Sequence, residues 1–398
     1  MKQRQGVLDG VRVLDFTTMM SGPYCTRMMA DLGAEVIKVE SSEGDFMRAR
    51  VPLRQGKSTY FAQLNCGKKS VVLDLKTPEA RAVARDLVAK ADVLVENFRP
   101  GVMKRLGLDY DTLSSINPRL VYCSISGFGQ DGPWAQRTAY APVLHAASGY
   151  DLANLGYQSG LERPLKTGIH VADVLGGSLA FGGIQAALVG RARTGRGEYV
   201  DLSLMDSVLG MMAYECQTAQ FPSDFNRPLF QPTRAKDGFV LIAPVSQNTF
   251  ESLAKATGHP EWIDDPRFSN APSAGGRGSC REAHWSELMA LLDEWASTRA
   301  AEECEAVLSA GGVPCSRYLT IAQAMAEPAI VERGSFATIN DGIGPFQVPN
   351  PAFQYRHSTT EAKDYVPELG ADTDALLSEL LGYTKEQIDT LRRGKSVA

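Results

Sequence analysis

Histidine is scarce in this chain of 398 residues. The five present, at positions 145, 170, 259, 284 and 357, never fall at a metal-binding spacing. The seven cysteines are scattered, with no CxxC pair among them, which argues against a structural zinc site and for reduced thiols in a cytoplasmic setting. No GxSxG elbow is present, so the usual serine-hydrolase signature is missing. Lysine and arginine form no run or stripe and the formal net charge is only −5, so nucleic acid is not an expected partner. The opening MKQRQGVLDG has no apolar core of the signal-peptide kind. Long hydrophobic runs are missing as well. The least polar stretch, Val171 to Val189, carries Asp173 and several glycines and reads as a buried helix rather than a membrane span.

What remains is an ordinary globular composition, 44% apolar and 22% charged, in a chain long for a single core. The first 130 residues alternate strand and helix signals. VRVLDF (Val11 to Phe16), EVIKVE (Glu35 to Glu40), SVVLDL (Ser70 to Leu75), ADVLVE (Ala91 to Glu96) and LVYCSIS (Leu120 to Ser126) are β-rich. Helical stretches such as Pro78 to Lys90, with Thr77 as N-cap, separate them. Strands spaced by helices predict βαβ units and a Rossmann-like parallel sheet. A further strand is expected at Tyr199 to Leu204 and a helix at Asp206 to Gln220. Residues 1–220 are therefore read as a large α/β domain and the proline-bearing 221–237 as a linker. A smaller α+β domain is expected over 238–325, with strands near Gly238 to Val245 and Val313 to Tyr318. Its helices are expected at Asn248 to Thr257 and Arg281 to Ser309, with Ser269 to Ser279 as an exposed loop. Residues 326–398 are read as a linker and a return to the large domain.

Three places could carry chemistry. The first strand-to-helix turn, Thr18-Met19-Met20-Ser21, precedes a helix whose free amides suit an anion, yet only one of the three dinucleotide-motif glycines is present. An ordinary turn fits it too. Gly127-Phe128-Gly129-Gln130-Asp131-Gly132-Pro133 follows a strand directly, where the backbone can approach a ligand or simply turn. Asp173 opens the small-residue helix. A carboxylate in a first helical turn is either a structural cap or a nucleophile kept ionised by the helix dipole.

These segments resemble class III CoA-transferases, the group that includes formyl-CoA transferase and carnitine CoA-transferase, with the α-methylacyl-CoA racemases as relatives. The resemblance runs through LDGVRVLDFT, DLGAEVIKVE, NCGKKSVVLDLKTPEA, ADVLGGSLAFGGIQAAL and RTGRGEYVDLSLMDS, and is most specific in ENFRPG (96–101) and GFGQDGP (127–133). It implies that Asp173 is the nucleophile, passing through an aspartyl mixed anhydride and an aspartyl–CoA thioester. It implies further that coenzyme A, a substrate rather than a bound cofactor, lies along Thr18, Met19, Met20, Ser21, Asn97, Phe98, Arg99 and Arg105. Lys68 and Lys69 fall where cations would meet the nucleotide phosphates. No metal is implied. The partners are an acyl-CoA, a small carboxylic acid and a second copy of the chain in an interlocked-ring homodimer. Gly129, Gln130, Arg137, Tyr140, His145 and His170, with Tyr150, are candidates for the acid's pocket, the acid being a small dicarboxylate such as succinate, oxalate or mesaconate. Racemase relatives carry a His–Asp pair where this chain reads Thr138-Ala139-Tyr140-Ala141, which places an acyl-CoA racemase or isomerase second. The segment Asn226 to Lys236 contains no glycine where some transferases have a glycine-rich flap, and Gly370-Ala371-Asp372-Thr373 replaces the usual Gly-Glu-His-Thr.

Overall fold

The computed structural model describes residues 5–222, 229–274 and 278–398. Part of the expected linker, 223–228, which takes in 226–228 of the glycine-free segment 226–236, and part of the expected 269–279 loop, 275–277, lie outside the described residues. The chain divides into two compact units, Met1–Cys216 with Val331–Ala398, and Gln217–Ile330.

The first unit is built on six strands: β1 (Arg12–Asp15), β2 (Glu35–Glu40), β3 (Lys68–Val72), β4 (Val93–Glu96), β5 (Val121–Ser126) and β6 (Tyr199–Ser203). All pair in parallel, in the order 3-2-1-4-5-6. That is the doubly wound Rossmann order, whose strand order reverses between β1 and β4. The strands are apolar on both faces because both are covered. Val13 of β1 packs into one core with Met29, Val93 and Ile184. Its neighbour Leu14 points the other way, to Ile37, Leu87 and Tyr122. β3 begins two residues earlier than expected and stops at Val72, since Asp74 turns the chain toward helix α2 (Pro78–Val88), capped by Thr77.

As the outermost strand, β3 has free backbone amides, and the C-terminal segment occupies them. Ser70 N donates to Asp372 Oδ2 (2.8 Å), Val72 N to Thr373 Oγ1 (3.2 Å) and Asp74 N to the Ser396 carbonyl (3.0 Å). Leu73 bridges to Val397.

Two helices place the residues of interest. α1 (Ser21–Asp31) follows β1, and α3 (Val171–Thr194) packs across it. The close approach to α1 requires Gly177, where a Cβ would sit 2.5 Å from the Ser21 carbonyl oxygen; Gly176 makes room instead for Leu204, whose Cδ2 a Cβ would meet at 2.1 Å. By length and composition α3 could cross a membrane; its side toward α1 is packed inside the unit. The expected helix from Asp206 is two, Leu204–Met211 and Ala213–Gln220, separated at Met212.

The second unit holds a three-stranded antiparallel sheet of β7 (Pro232–Arg234), β8 (Phe239–Ile242) and β9 (Cys315–Arg317), in the order 9-8-7. α4 (Gln247–Ala256), α5 (Trp285–Ser297) and α6 (Ala301–Ala310) cover it around Phe250, Leu292 and Leu308. The single helix expected over Arg281 to Ser309 is broken. A short turn at Cys280–Ala283 precedes α5, and the chain restarts at Ala301, whose amide is taken by the Asp237 carboxylate (2.8 Å).

Candidate functional site

The turn from β1 into α1 is pinned by side chains at nearly every backbone polar group. Asp15, fully buried, accepts from Thr17 N (2.9 Å), Thr26 Oγ1 (2.7 Å) and Lys68 Nζ (2.8 Å). Burial works against its charge, but Lys68 and Lys38 overcome that and hold the carboxyl well below the usual range. Lys38 Nζ, also fully buried, donates to the Thr17 carbonyl (2.8 Å) and pairs with Asp45 (2.9 Å). Asp45 Oδ1 accepts from Met47 N (2.9 Å) and, at longer range, Met19 N (3.4 Å). From the ENFRPG loop Asn97 clasps Thr18 twice, Oδ1 accepting from its amide (2.9 Å) and Nδ2 donating to its carbonyl (2.8 Å). So held, Met19 keeps a left-handed backbone, φ 68°, unusual for a residue with a side chain.

α3 brings Asp173 to this turn. His145, completely buried, accepts at Nε2 from Ala172 N (3.1 Å) and so satisfies one open amide of the helix's first turn. Burial lowers the pKa of His145, which favours the neutral ring that can accept. Asp173 lies beside Ser21 on the lining of one cavity. Its pKa is raised by burial, with His170 and Ser21 pulling the other way.

Two cavities meet at Asp173. One, of about 280 Å3, runs between the β1–α1 turn, the ENFRPG loop and the loop after β5; Thr18, Ser21, Asn97, Arg99 and Arg137 line it. The other, of about 260 Å3, is walled by Met19, Met20, Phe46, Met47, Val51 and Tyr60, with Arg50 and His170. Tyr140 and Met19 border both.

The expected residues are thus distributed unevenly. Thr18, Met19, Ser21, Asn97, Phe98, Arg99, Arg137, Tyr140 and Asp173 share the first cavity, and Met20 and His170 belong to the second. Lys68 is not a surface cation: it is fully buried against Asp15 and Asn65, with its pKa lowered to about 8 by burial. Lys69 is exposed and paired with Glu35, on the wall of another depression, and Arg105 is exposed outside the lining of either cavity at Asp173. His145 faces the helix start and lies tilted against Tyr150 (5.2 Å between ring centroids), and neither lines a cavity at Asp173. Gln130 N is tied to Asp201 (3.0 Å), Gly129 is left-handed (φ 84°), and neither lines a cavity at Asp173. Arg137 lies over the Trp134 ring at 4.5 Å. Sequence reasoning missed Lys38, Asp45, Phe46, Met47, Arg50 and Tyr60. The only local signal is Asp45 capping the short 3-10 turn Phe46–Ala49, and that marks a turn rather than a site.

Set beside known proteins, residues 8–373 match the model of CoA-transferase family III. The chain belongs to that family. It is 36% identical to an acetyl-CoA:oxalate CoA-transferase of Acetobacter aceti, over 94% of this chain and 96% of that enzyme. It is 32% identical to a succinyl-CoA:glutarate CoA-transferase of Mus musculus, over 96% and 88%. Among solved structures it resembles a CaiB/BaiF family protein from Brucella suis, with a TM-score of 0.80 and 32% identity, covering 95% of this chain and all of that one. This family III CoA-transferase contains, among its described residues, no group of three or more His, Cys, Asp or Glu side chains arranged for a metal.

Proposed function

We propose that this family III CoA-transferase moves CoA from an acyl-CoA to a small dicarboxylate through covalent intermediates on Asp173. The observation that carries the reading is the position of the Asp173 carboxyl, where a polar cavity with two arginines meets an apolar one. The thiol end of coenzyme A would lie along Thr18, Met19, Ser21, Asn97, Phe98 and Arg99. Met20 would stand at the mouth of the acid's cavity, and Arg105 would reach the outer part of the nucleotide.

The Asp173 carboxylate attacks the thioester carbonyl, forming an acyl–aspartyl anhydride as the C–S bond breaks and CoA leaves as thiolate. The thiolate then attacks the aspartyl carbonyl, releasing the donor acid as carboxylate and leaving an aspartyl–CoA thioester. The acceptor carboxylate attacks that thioester, giving a new anhydride and thiolate. Attack of thiolate on the new acyl carbon restores the Asp173 carboxylate. Partial burial supports the first step, because a carboxylate short of water is the more reactive nucleophile. The pinned β1–α1 turn supports all of them: its amides at the head of α1 need no reorganisation as negative charge develops. A homodimer of interlocked rings accompanies this reading. Leu179 and Val189 of α3 are 49% and 65% exposed in one chain, apolar surface that a second copy would cover.

Trapping tests the reading. The protein is incubated with succinyl-CoA or acetyl-CoA, quenched with hydroxylamine or borohydride, and mapped by mass spectrometry. A hydroxamate or reduced side chain at Asp173, absent from Asp173→Ala, is the expected result. Turnover with no adduct at Asp173, or an adduct elsewhere that Asp173→Ala retains, would overturn it.

A further inference from the structure

The second cavity at Asp173 has a composition that narrows the acid. Its walls are mostly thioether, aromatic and aliphatic (Met19, Met20, Phe46, Met47, Val51 and Tyr60), with Tyr140 and His170 at the side of Asp173. Tyr60 spends its hydroxyl on the Met20 sulfur (3.0 Å). Facing this apolar lining is one permanent cation, Arg50. Its guanidinium lies 3.9 Å above the Phe46 ring and, among the described residues, has no acidic partner and no side-chain hydrogen bond. The neighbouring Arg48 differs in this respect, being paired with Glu40 at 2.7 Å and bonded to the Pro367 carbonyl (3.0 Å). An arginine held over an aromatic ring, with its fork of donors free, is suited to receive a carboxylate.

We infer that Arg50 binds the distal carboxylate of the acyl group, and that the substrates of this site are saturated dicarboxylates whose methylene spacer lies along the apolar wall, of which glutarate is the type. This rests on the proposed role of Asp173, at whose side the reacting carboxyl must sit. Oxalate fits the cavity poorly. Its two carboxyls adjoin, so it has no apolar part to set against the wall, and a cavity of about 260 Å3 would stay largely unfilled. A hydroxylated spacer would set its hydroxyl against mostly thioether and ring carbons, where it finds fewer hydrogen-bond partners than in water. A monocarboxylate of equal length would fill the wall and leave Arg50 without its anion.

The test is acceptor selectivity in wild type and in Arg50→Gln, with succinyl-CoA as donor and oxalate, glutarate, citramalate and butyrate as acceptors. Wild type is expected to rank glutarate first by kcat/KM. Arg50→Gln is expected to lower the glutarate-to-butyrate ratio of kcat/KM roughly 10- to 100-fold, mostly through the KM for glutarate, with Arg50→Lys in between. Wild type that prefers oxalate, or a ratio that Arg50→Gln leaves unchanged, overturns the inference. Trapping at Asp173 in the same samples separates the two ideas. An adduct there with an unaltered ratio removes only the role of Arg50, whereas turnover without an adduct removes the reading of Asp173 itself.

Discussion

Asp173 sits in a place that costs the folded protein something. Burial raises its pKa above the ordinary 3.8, so the ionised side chain is less comfortable folded than unfolded. The stability effect follows by sign. Below the unfolded pKa the group is neutral in both states and carries no penalty; as pH rises through the folded pKa, the penalty develops in full. Asp173→Asn should therefore melt above wild type at neutral pH and lose that advantage at acid pH, while activity falls by roughly three orders of magnitude or more. Scanning calorimetry across pH, beside a CoA-transfer assay, checks both. A variant less stable than wild type at neutral pH would show Asp173 to be a cap and little else. Asp173 stood out only through the family resemblance, since a carboxylate in a first helical turn reads more readily as a cap. The place of Lys68 was not legible. Its string, NCGKKS, looks like a basic surface pair, and nothing local records that β3 turns one lysine inward to a buried aspartate 53 positions earlier.

At the level of elements, what brings Asp173 to the β1–α1 turn is the fit of α3 on α1. A Cβ at Gly177 would lie 2.5 Å from the Ser21 carbonyl, and that contact is backbone, which cannot swing aside. Gly177→Ala gains helix propensity, worth about 1 kcal/mol, but must push the two helices apart, at about 1–3 kcal/mol. Net destabilisation is expected, and adduct formation at Asp173 should fall further than the melting temperature alone would suggest, because Ser21, on the same cavity wall, is displaced from beside Asp173. Hydroxylamine trapping and thermal melts on the same preparation read the two effects. Elements were largely foreseeable from βαβ alternation and from Thr77 with Pro78 at a helix start. The breaks at Met212 and Ala300 were not, since the second depends on Asp237, a partner 64 residues away. The wall of Phe46, Met47 and Arg50 was equally hidden, because its residues share a cavity with Asp173 only through tertiary placement.

For the whole molecule, the 3-2-1-4-5-6 sheet puts the loops after β1, β4 and β5 together at its carboxyl end. Both cavities at Asp173 open there, where the strand order reverses, as is general for ligands in open α/β sheets. That much followed from the order of strands and helices. The proposed partnership of two chains belongs to this scale too. The exposed Leu179 and Val189 lie on α3, a long and largely apolar helix. Light scattering should give twice the chain mass at the lowest working concentration, with no monomer released on dilution. A monomer that remains active and soluble would count against the interlocked assembly.

The seal along β3 has a practical side. Asp372, Thr373 and Ser396 occupy amides that would otherwise form an open strand edge, and such edges recruit other chains. Val397 is itself buried, so the tail is part of the sheet's border rather than a loose end. Trimming the protein before Asp372, or attaching a bulky purification tag directly after Ala398, would unzip that border and invite sticking between molecules during expression. A tag at the opposite terminus leaves it closed.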